Sequence, residues 1–322
     1  MRLPYTIVVL GVGALGKRHL SSLLNSSYAL EVYCYDVNQN TLEGFSWQNM
    51  FENKTLATAR KIEELPKTID FAIFSMTAKG RRETFDQLVE HSDVKNILFE
   101  KVLFQSLKDY DYVGGRLKKL GIHAWVNCAR RQMDCYQSLK EKLQNVSEMR
   151  ITITGSEWGM ACNAIHMLDL IAFLANSSDM VIKNMDLLPA IFDSKREGYK
   201  EVFGTIRGTC GKCTGFEITC LQGRQVGTAI LISTNKMQYF IMETKNVMIE
   251  FPTRDETGYN VSDFIIPYQS QMTQYVMEDI LRDSQCKLTE YDESAKLHKL
   301  FIRPLIEFFN HNGVEGKTCP IT

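Results

Sequence analysis

Along residues 1–128, short apolar runs alternate with segments of helical period. The runs are TIVVLG (6–11), LEVYCYD (30–36), TLAT (55–58), TIDFAIFSM (68–76), KNILFE (95–100) and IHAWVNC (122–128). Between them, ALGKRHLSSLLN, a segment around Thr41 to Met50, GRRETFDQLVEH and SLKDYDYVGGRLKKLG carry apolar residues at helical spacing. Strands covered on both faces read as near-continuous apolar runs, and these do. Their alternation with helices predicts right-handed βαβ units and a parallel sheet.

The pattern then changes. After a helix near 132–144, MRITITGS (149–156) alternates like a half-exposed strand, and NAIHMLDLIAFLAN reads as a helix. From about 181 to 251, EVFGTIRG, GFEITCLQ, GTAILIST, MQYFIME and NVMIEF are strand-like runs punctuated by glycine. They predict a largely antiparallel sheet. Helices near 263–284 and 292–311 finish the chain, with Pro304 placed to kink the second. No linker rich in Pro, Gly or Ser interrupts the pattern. Two tightly packed domains are expected, 1–122 and 123–322.

Composition narrows the partners more than the fold. A chain of 322 residues with 44% apolar and 23% charged content suits two globular domains with sizeable cores. A net charge of −1 gives no reason to expect nucleic acid or a membrane surface as partner. The opening MRLPYTIVVLGVG runs straight into a glycine motif and reads as a first strand, not a signal peptide. No apolar stretch reaches the ~18 residues of a membrane span. Nine cysteines lie scattered without a disulfide framework, which points to a cytoplasmic location. Cys210 and Cys213 have CxxC spacing, but the glycines around them suggest a hairpin turn. With no second pair to complete a zinc site, no metal is expected.

Residues GVGALG (11–16) follow an apolar strand and open a helix, the context that gives GxGxxG meaning. Gly11 permits the tight turn, Gly13 the approach of a pyrophosphate, and Gly16 close helix–strand packing, with Ala14 and Leu15 between them. The amides and dipole of the following helix face the phosphates. Asp36 ends the second run about twenty residues beyond Gly16, where a carboxylate takes ribose hydroxyls. An acid there repels a 2′-phosphate, so NAD is expected, with NADP possible. The fold class is therefore α/β. It combines an N-terminal Rossmann doubly wound parallel sheet with a C-terminal α+β domain on a largely antiparallel sheet.

Glu100 and Lys101 interrupt the apolar run NILFEKVLF at the carboxyl end of a strand, which is where open α/β sheets bind ligands. Lys101 is expected to project over the nicotinamide edge, with Glu100 holding it or capping the turn. Together with GVGALGKRH and NAIHMLDL, the FEKVLF segment resembles the oxidoreductases typified by glucose–fructose oxidoreductase and inositol dehydrogenase, the Gfo/Idh/MocA family. The resemblance runs almost end to end. It implies that the lysine of a Glu-Lys-Pro turn contacts substrate and cofactor, and that a second motif, Asp-x-Gly-x-His-x-x-Asp, joins the site. Here Val102 replaces the proline, which is expected to relax the turn while keeping the lysine. Cys162 and Ala164 replace the Asp and Gly, while His166 and Asp169 remain.

His166 and Asp169 are separated by i,i+3 and share a helix face among apolar neighbours, so the pair is expected at a domain interface. A carboxylate beside the imidazole would orient it and favour its protonated form. The implied chemistry is reversible oxidation of a secondary alcohol. His166 is the first candidate base, and Lys101 either stabilises the same oxygen or is itself the base. Asn127, Arg131 or its neighbour Arg130, Trp158 and Asn163 are candidate substrate contacts, with Tyr199 behind them. The adjacent arginines also fit a surface helix, and the tryptophan also fits a core.

The resulting expectation is an NAD-dependent dehydrogenase acting on a sugar, sugar acid or nucleotide sugar. Alternating runs such as GTAILIST and MQYFIME suggest a homodimer or homotetramer formed through the sheet. A non-catalytic dinucleotide-binding regulator is the competing class, and a non-sugar carbonyl or conjugated double bond is the competing substrate.

Overall fold

The structure, a computed structural model, describes residues 3–42, 53–252 and 258–322. Its first sheet is built from β1 (Tyr5–Leu10), β2 (Leu30–Tyr35), β3 (Lys54–Ala59), β4 (Phe71–Phe74), β5 (Asn96–Phe99) and β6 (His123–Val126). Helices α1 (Ala14–Leu24), α2 (Arg81–His91) and α3 (Leu107–Leu120) provide the crossovers. The strands pair in parallel in the order 3-2-1-4-5-6, the doubly wound order that opens a crevice between β1 and β4. The expected helical segment around Thr41 to Met50 falls largely outside the described residues.

The remaining chain supplies α4 (Asp134–Lys142), α5 (Met160–Ala175) and an eight-stranded second sheet. Its strands are β7 (Met149–Ser156), β8 (Met180–Leu187), β9 (Gly204–Cys210), β10 (Cys213–Leu221), β11 (Val226–Thr234), β12 (Gln238–Met242), β13 (Val247–Phe251) and β14 (Asn260–Asp263). Only the β7–β10 pair is parallel; the other neighbours run antiparallel. Cys210 and Cys213 face each other at the β9–β10 hairpin, both as free thiols.

The chain then returns to the first sheet. Helix α6 (Thr273–Asp283) buries Val276, Met277 and Ile280 with Ile7, Val9 and Trp125. A short strand β15 (Thr289–Glu290) pairs antiparallel with β6, and α7 (Tyr291–His311) follows with Pro304 inside it. A division at residue 122 therefore cuts the first sheet before its sixth strand. Helix α6 begins later than the expected residue 263, because Pro267 biases the residue before it toward extended backbone. On the other face of the first sheet, Phe74, Phe85 and Phe99 join a core that continues through α5 and α7 to Ile151, Ile153 and Ile218 of the second sheet. No helix among the described residues is long and apolar enough to cross a membrane.

Candidate active site

The glycine turn is set by backbone sterics. Gly11 has φ +89°, and a Cβ there would lie 2.5 Å from the Met76 nitrogen. A Cβ on Gly16 would lie 2.0 Å from the Gly11 carbonyl oxygen, so the helix approaches the strand only without one. At Gly13 a Cβ would meet nothing within 4 Å. That open side, and an α1 N-terminus with no side-chain cap, fit an incoming pyrophosphate. Asp36 lies beside the turn, its carboxylate accepting from the amides of Val12 (2.7 Å) and Asn38 (2.9 Å).

Glu100 points into protein. Its carboxylate accepts from Asn127 Nδ2 and lies 3.0 Å from His19 Nε2, while His19 Nδ1 sits 2.9 Å from Thr273 Oγ1. Burial raises the carboxyl, but His19, the Asn127 amide and the charge of Lys101 outweigh it and hold it below the usual range. Asn127 also donates to Gln269 Oε1 at 3.0 Å, so both of its N–H donors serve this buried network. Glu100 thus ties α1, β6 and the start of α6 to the strand end that carries Lys101.

The turn after Glu100 contains a cis Lys101–Val102 peptide bond. Arg81, 1% exposed, donates through Nη1 to the carbonyls of Glu100 (2.7 Å), Val102 (2.5 Å) and Leu103 (2.8 Å). Its Nη2 donates to the Met76 carbonyl. One guanidinium therefore fixes the ends of both β4 and β5, a role set by tertiary contacts that a residue starting a helix does not advertise. Lys101 then reaches α5, donating to Asn163 Oδ1 (3.0 Å) and the Cys162 carbonyl (3.2 Å). Burial lowers its pKa below the ordinary lysine value, against the opposing pull of Glu100.

Two cavities meet here and share Leu15, Glu100 and Lys101 as lining. The first, of about 400 Å³, adds Trp158, Cys162, Asn163, Arg196 and Glu201. Its wall also includes Thr322, whose hydroxyl accepts from the Ala78 amide at 2.9 Å. The second, of about 320 Å³, adds Asn127, Arg130, His166 and Glu243. Arg130 is engaged by Glu243 through two contacts of 2.7 Å. Trp158 donates from its indole to the Thr219 carbonyl at 3.0 Å. Tyr199 lines neither cavity.

The expected His166–Asp169 pair does not form. Asp169 is 1% exposed, and its carboxylate accepts from Arg131 Nε (2.9 Å) and the Thr289 hydroxyl (2.5 Å). Arg131 in turn donates to Glu293 at 2.8 Å and lines neither cavity. The two residues join α5 to β15 and α7. His166 is left facing the second cavity, and no side chain among the described residues hydrogen-bonds its ring. Burial and the positive charges of Lys101 and Arg130 push its pKa well below 6.5, so the ring is neutral and not the imidazolium expected beside a carboxylate.

His19, Arg81, Glu201 and Thr322 carried no expectation. His19 stands three residues beyond Gly16, within reach of the strand ends, which is the one local signal among them. Among the described residues, no group of His, Cys, Asp and Glu side chains is arranged to hold a metal ion.

The sequence matches no protein-family model and no curated protein. Solved structures do resemble the fold over nearly its whole length. A super-repressor mutant of Gal80p from Saccharomyces cerevisiae superposes with TM-score 0.73 at 13% identity, covering 95% of this chain and 96% of that one. UDP-N-acetylglucosamine 3-dehydrogenase GnnA from Acidithiobacillus ferrooxidans gives 0.71 at 12% identity, covering 96% and 99%. An oxidoreductase from Agrobacterium radiobacter in complex with NAD+, L-tartaric acid and magnesium gives 0.66 at 13% identity, covering 94% and 95%. The likeness establishes the fold. It is the two-domain architecture that the Gfo/Idh/MocA resemblance implies, and it is shared by dehydrogenases and by a protein described as a transcriptional regulator.

Proposed function

We propose that the protein is an NAD(P)-dependent oxidoreductase acting on a secondary alcohol or ketone of a sugar, sugar acid or nucleotide sugar. The observation that carries this reading is Lys101, held by Asn163 where the two cavities meet, beside Leu15 of the glycine turn. Ala14, Leu15 and the α1 amides would hold the pyrophosphate, and Asp36 the adenine ribose, with NAD preferred. A bound nicotinamide supplies hydride transfer. Lys101 hydrogen-bonds the reacting oxygen and offsets its developing charge. Neutral His166, across the same junction, has a free ring nitrogen to take the hydroxyl proton in oxidation. Asp169 and Arg131 serve these groups by fixing α5 rather than by touching substrate.

The test is a screen of sugars and nucleotide sugars, including UDP-N-acetylglucosamine, for NADH or NADPH production by wild type and Lys101→Met. Turnover that survives in Lys101→Met would remove the lysine from the chemistry. A regulator is the second reading, favoured by the likeness to Gal80p and by a Cys at position 162. Dinucleotide binding without turnover on any sugar would select it.

Association through the second sheet belongs to the same proposal. Leu231, Phe240, Ile249 and Val261 are register neighbours on four adjacent strands, and Leu231 and Val261 are exposed. This apolar row supports a homodimer or homotetramer. Sedimentation as a monomer at micromolar concentration would rule that out.

A further inference from the structure

Glu100 belongs to a closed ring of five side chains drawn from α1, the ends of β5 and β6, and the approach to α6. His19 meets Glu100 Oε1 through Nε2 at 3.0 Å and the Thr273 hydroxyl through Nδ1 at 2.9 Å. Gln269 donates from Nε2 to the same hydroxyl at 2.9 Å and accepts from Asn127 at 3.0 Å, and Asn127 closes the ring on Glu100. His19, Glu100, Asn127 and Thr273 are all 4% exposed or less. Hydrogen-bond accounting assigns the protons. A carboxylate only accepts, so His19 Nε2 carries its hydrogen. The Thr273 hydroxyl accepts from Gln269, and its own hydrogen has two places to go: His19 Nδ1 at 2.9 Å or the Gln269 carbonyl at 3.5 Å. The shorter contact takes it, so an uncharged imidazole uses both of its nitrogens.

That ring is placed to act on Lys101. Burial lowers the lysine, and Glu100 is the first of the groups that oppose it. The thiols of Cys128 and Cys162, His166 and Arg196 also surround the ammonium, with His298 behind them on α7, pushed down by burial to about 3. The other carboxylate is Glu201, on the hairpin that pairs Phe192–Asp193 with Lys200–Glu201. It accepts from the amides of Ala161 (2.5 Å) and Val202 (2.9 Å), and burial raises its pKa. Burial would raise Glu100 as well, and the hydrogen bond from His19 is the first of the contacts that reverse this. We propose that His19 is a positioning residue for the chemistry: by donating to Glu100 it keeps an anion beside Lys101, and that anion keeps the lysine an ammonium where the two cavities meet. This deepens the oxidoreductase reading and rests on it for the part Lys101 plays.

The experiment titrates Lys101 in the intact protein by NMR of isotope-labelled lysine, its resonance assigned as the one lost in Lys101→Met. Wild type is compared with His19→Leu, His19→Gln and Glu100→Gln. His19→Leu removes the donor, so burial returns a proton to Glu100 and Lys101 should deprotonate about one pH unit lower than in wild type. Glu100→Gln should move it the same way. His19→Gln keeps one donor and one acceptor and should restore the wild-type titration. The alkaline limb of turnover, where the ammonium is lost, should move down with the titration while NAD affinity holds. A merely structural His19 would lower the melting temperature and leave the Lys101 titration in place, and that result overturns the proposal. If His19→Leu does not fold, an unshifted Glu100→Gln overturns it instead. The titration needs no substrate, so the two readings fail separately. A shift without turnover on any sugar keeps the effect of the ring on Lys101 and removes the enzyme, whereas wild-type turnover with an unshifted titration does the reverse.

Discussion

The glycine turn and the first half of α5 both border Lys101, yet they are held by different forces. At Gly11 and Gly16 the shape follows from atoms that would collide if a Cβ were present, nearly all within a few residues or one strand away. On α5 the backbone presents Cys162, His166 and Asp169 at helical spacing, but their roles come from partners far along the chain. Thr289 and Arg131 claim Asp169, leaving His166 to the cavity. Sterics close to the backbone specify a site locally. Side chains on one helix face do so only after the tertiary fold has distributed their partners.

Substitutions can break that comparison at either end, and the largest effect is expected on α5. Asp169→Ala leaves Arg131, in a buried setting, with Glu293 as its remaining carboxylate among the described residues and removes the Thr289 acceptor. Loss of one partner from a buried pair costs about 3 kcal/mol. Urea titration should show that loss, and a stability unchanged from wild type would mean that Asp169 does not anchor the helix.

At the glycine turn, two neighbouring positions should separate stability from binding. Gly16→Ala forces a Cβ into the Gly11 carbonyl and should destabilise by about 1–3 kcal/mol. Gly13→Ala meets open space and should stay within about 0.5 kcal/mol of wild type while weakening NAD binding. Thermal melts beside cofactor fluorescence titrations distinguish these outcomes. A Gly13→Ala protein that binds NAD normally would take the pyrophosphate away from this turn.

The same contrast explains what could be read before the structure. The strand–helix alternation, the glycine turn and Asp36 are local patterns, and β1, α1 and β2 lie where those patterns put them. Lys101 was legible because a charge at the end of an apolar strand is anomalous. The inward turn of Glu100 was not, because His19 and Asn127 stand 81 and 27 residues away from it. Arg81 and Glu201 were hidden for the same reason. An arginine at a helix start and a glutamate on a hairpin look like surface charges until the carbonyls and amides they bond are brought to them. The helix expected from residue 263 failed on a local signal that was available, Pro267.

Lys101 and His166 are proposed to act on the reacting oxygen and its proton rather than on folding. The most direct test is turnover of Lys101→Met and His166→Asn, measured beside their melting temperatures and NAD affinities. Each variant should melt near wild type, bind NAD nearly as well, and lose turnover by about 10²- to 10⁴-fold. Near-normal turnover in both folded, NAD-binding variants would overturn these roles and leave the charge at the end of β5 without a part in the chemistry.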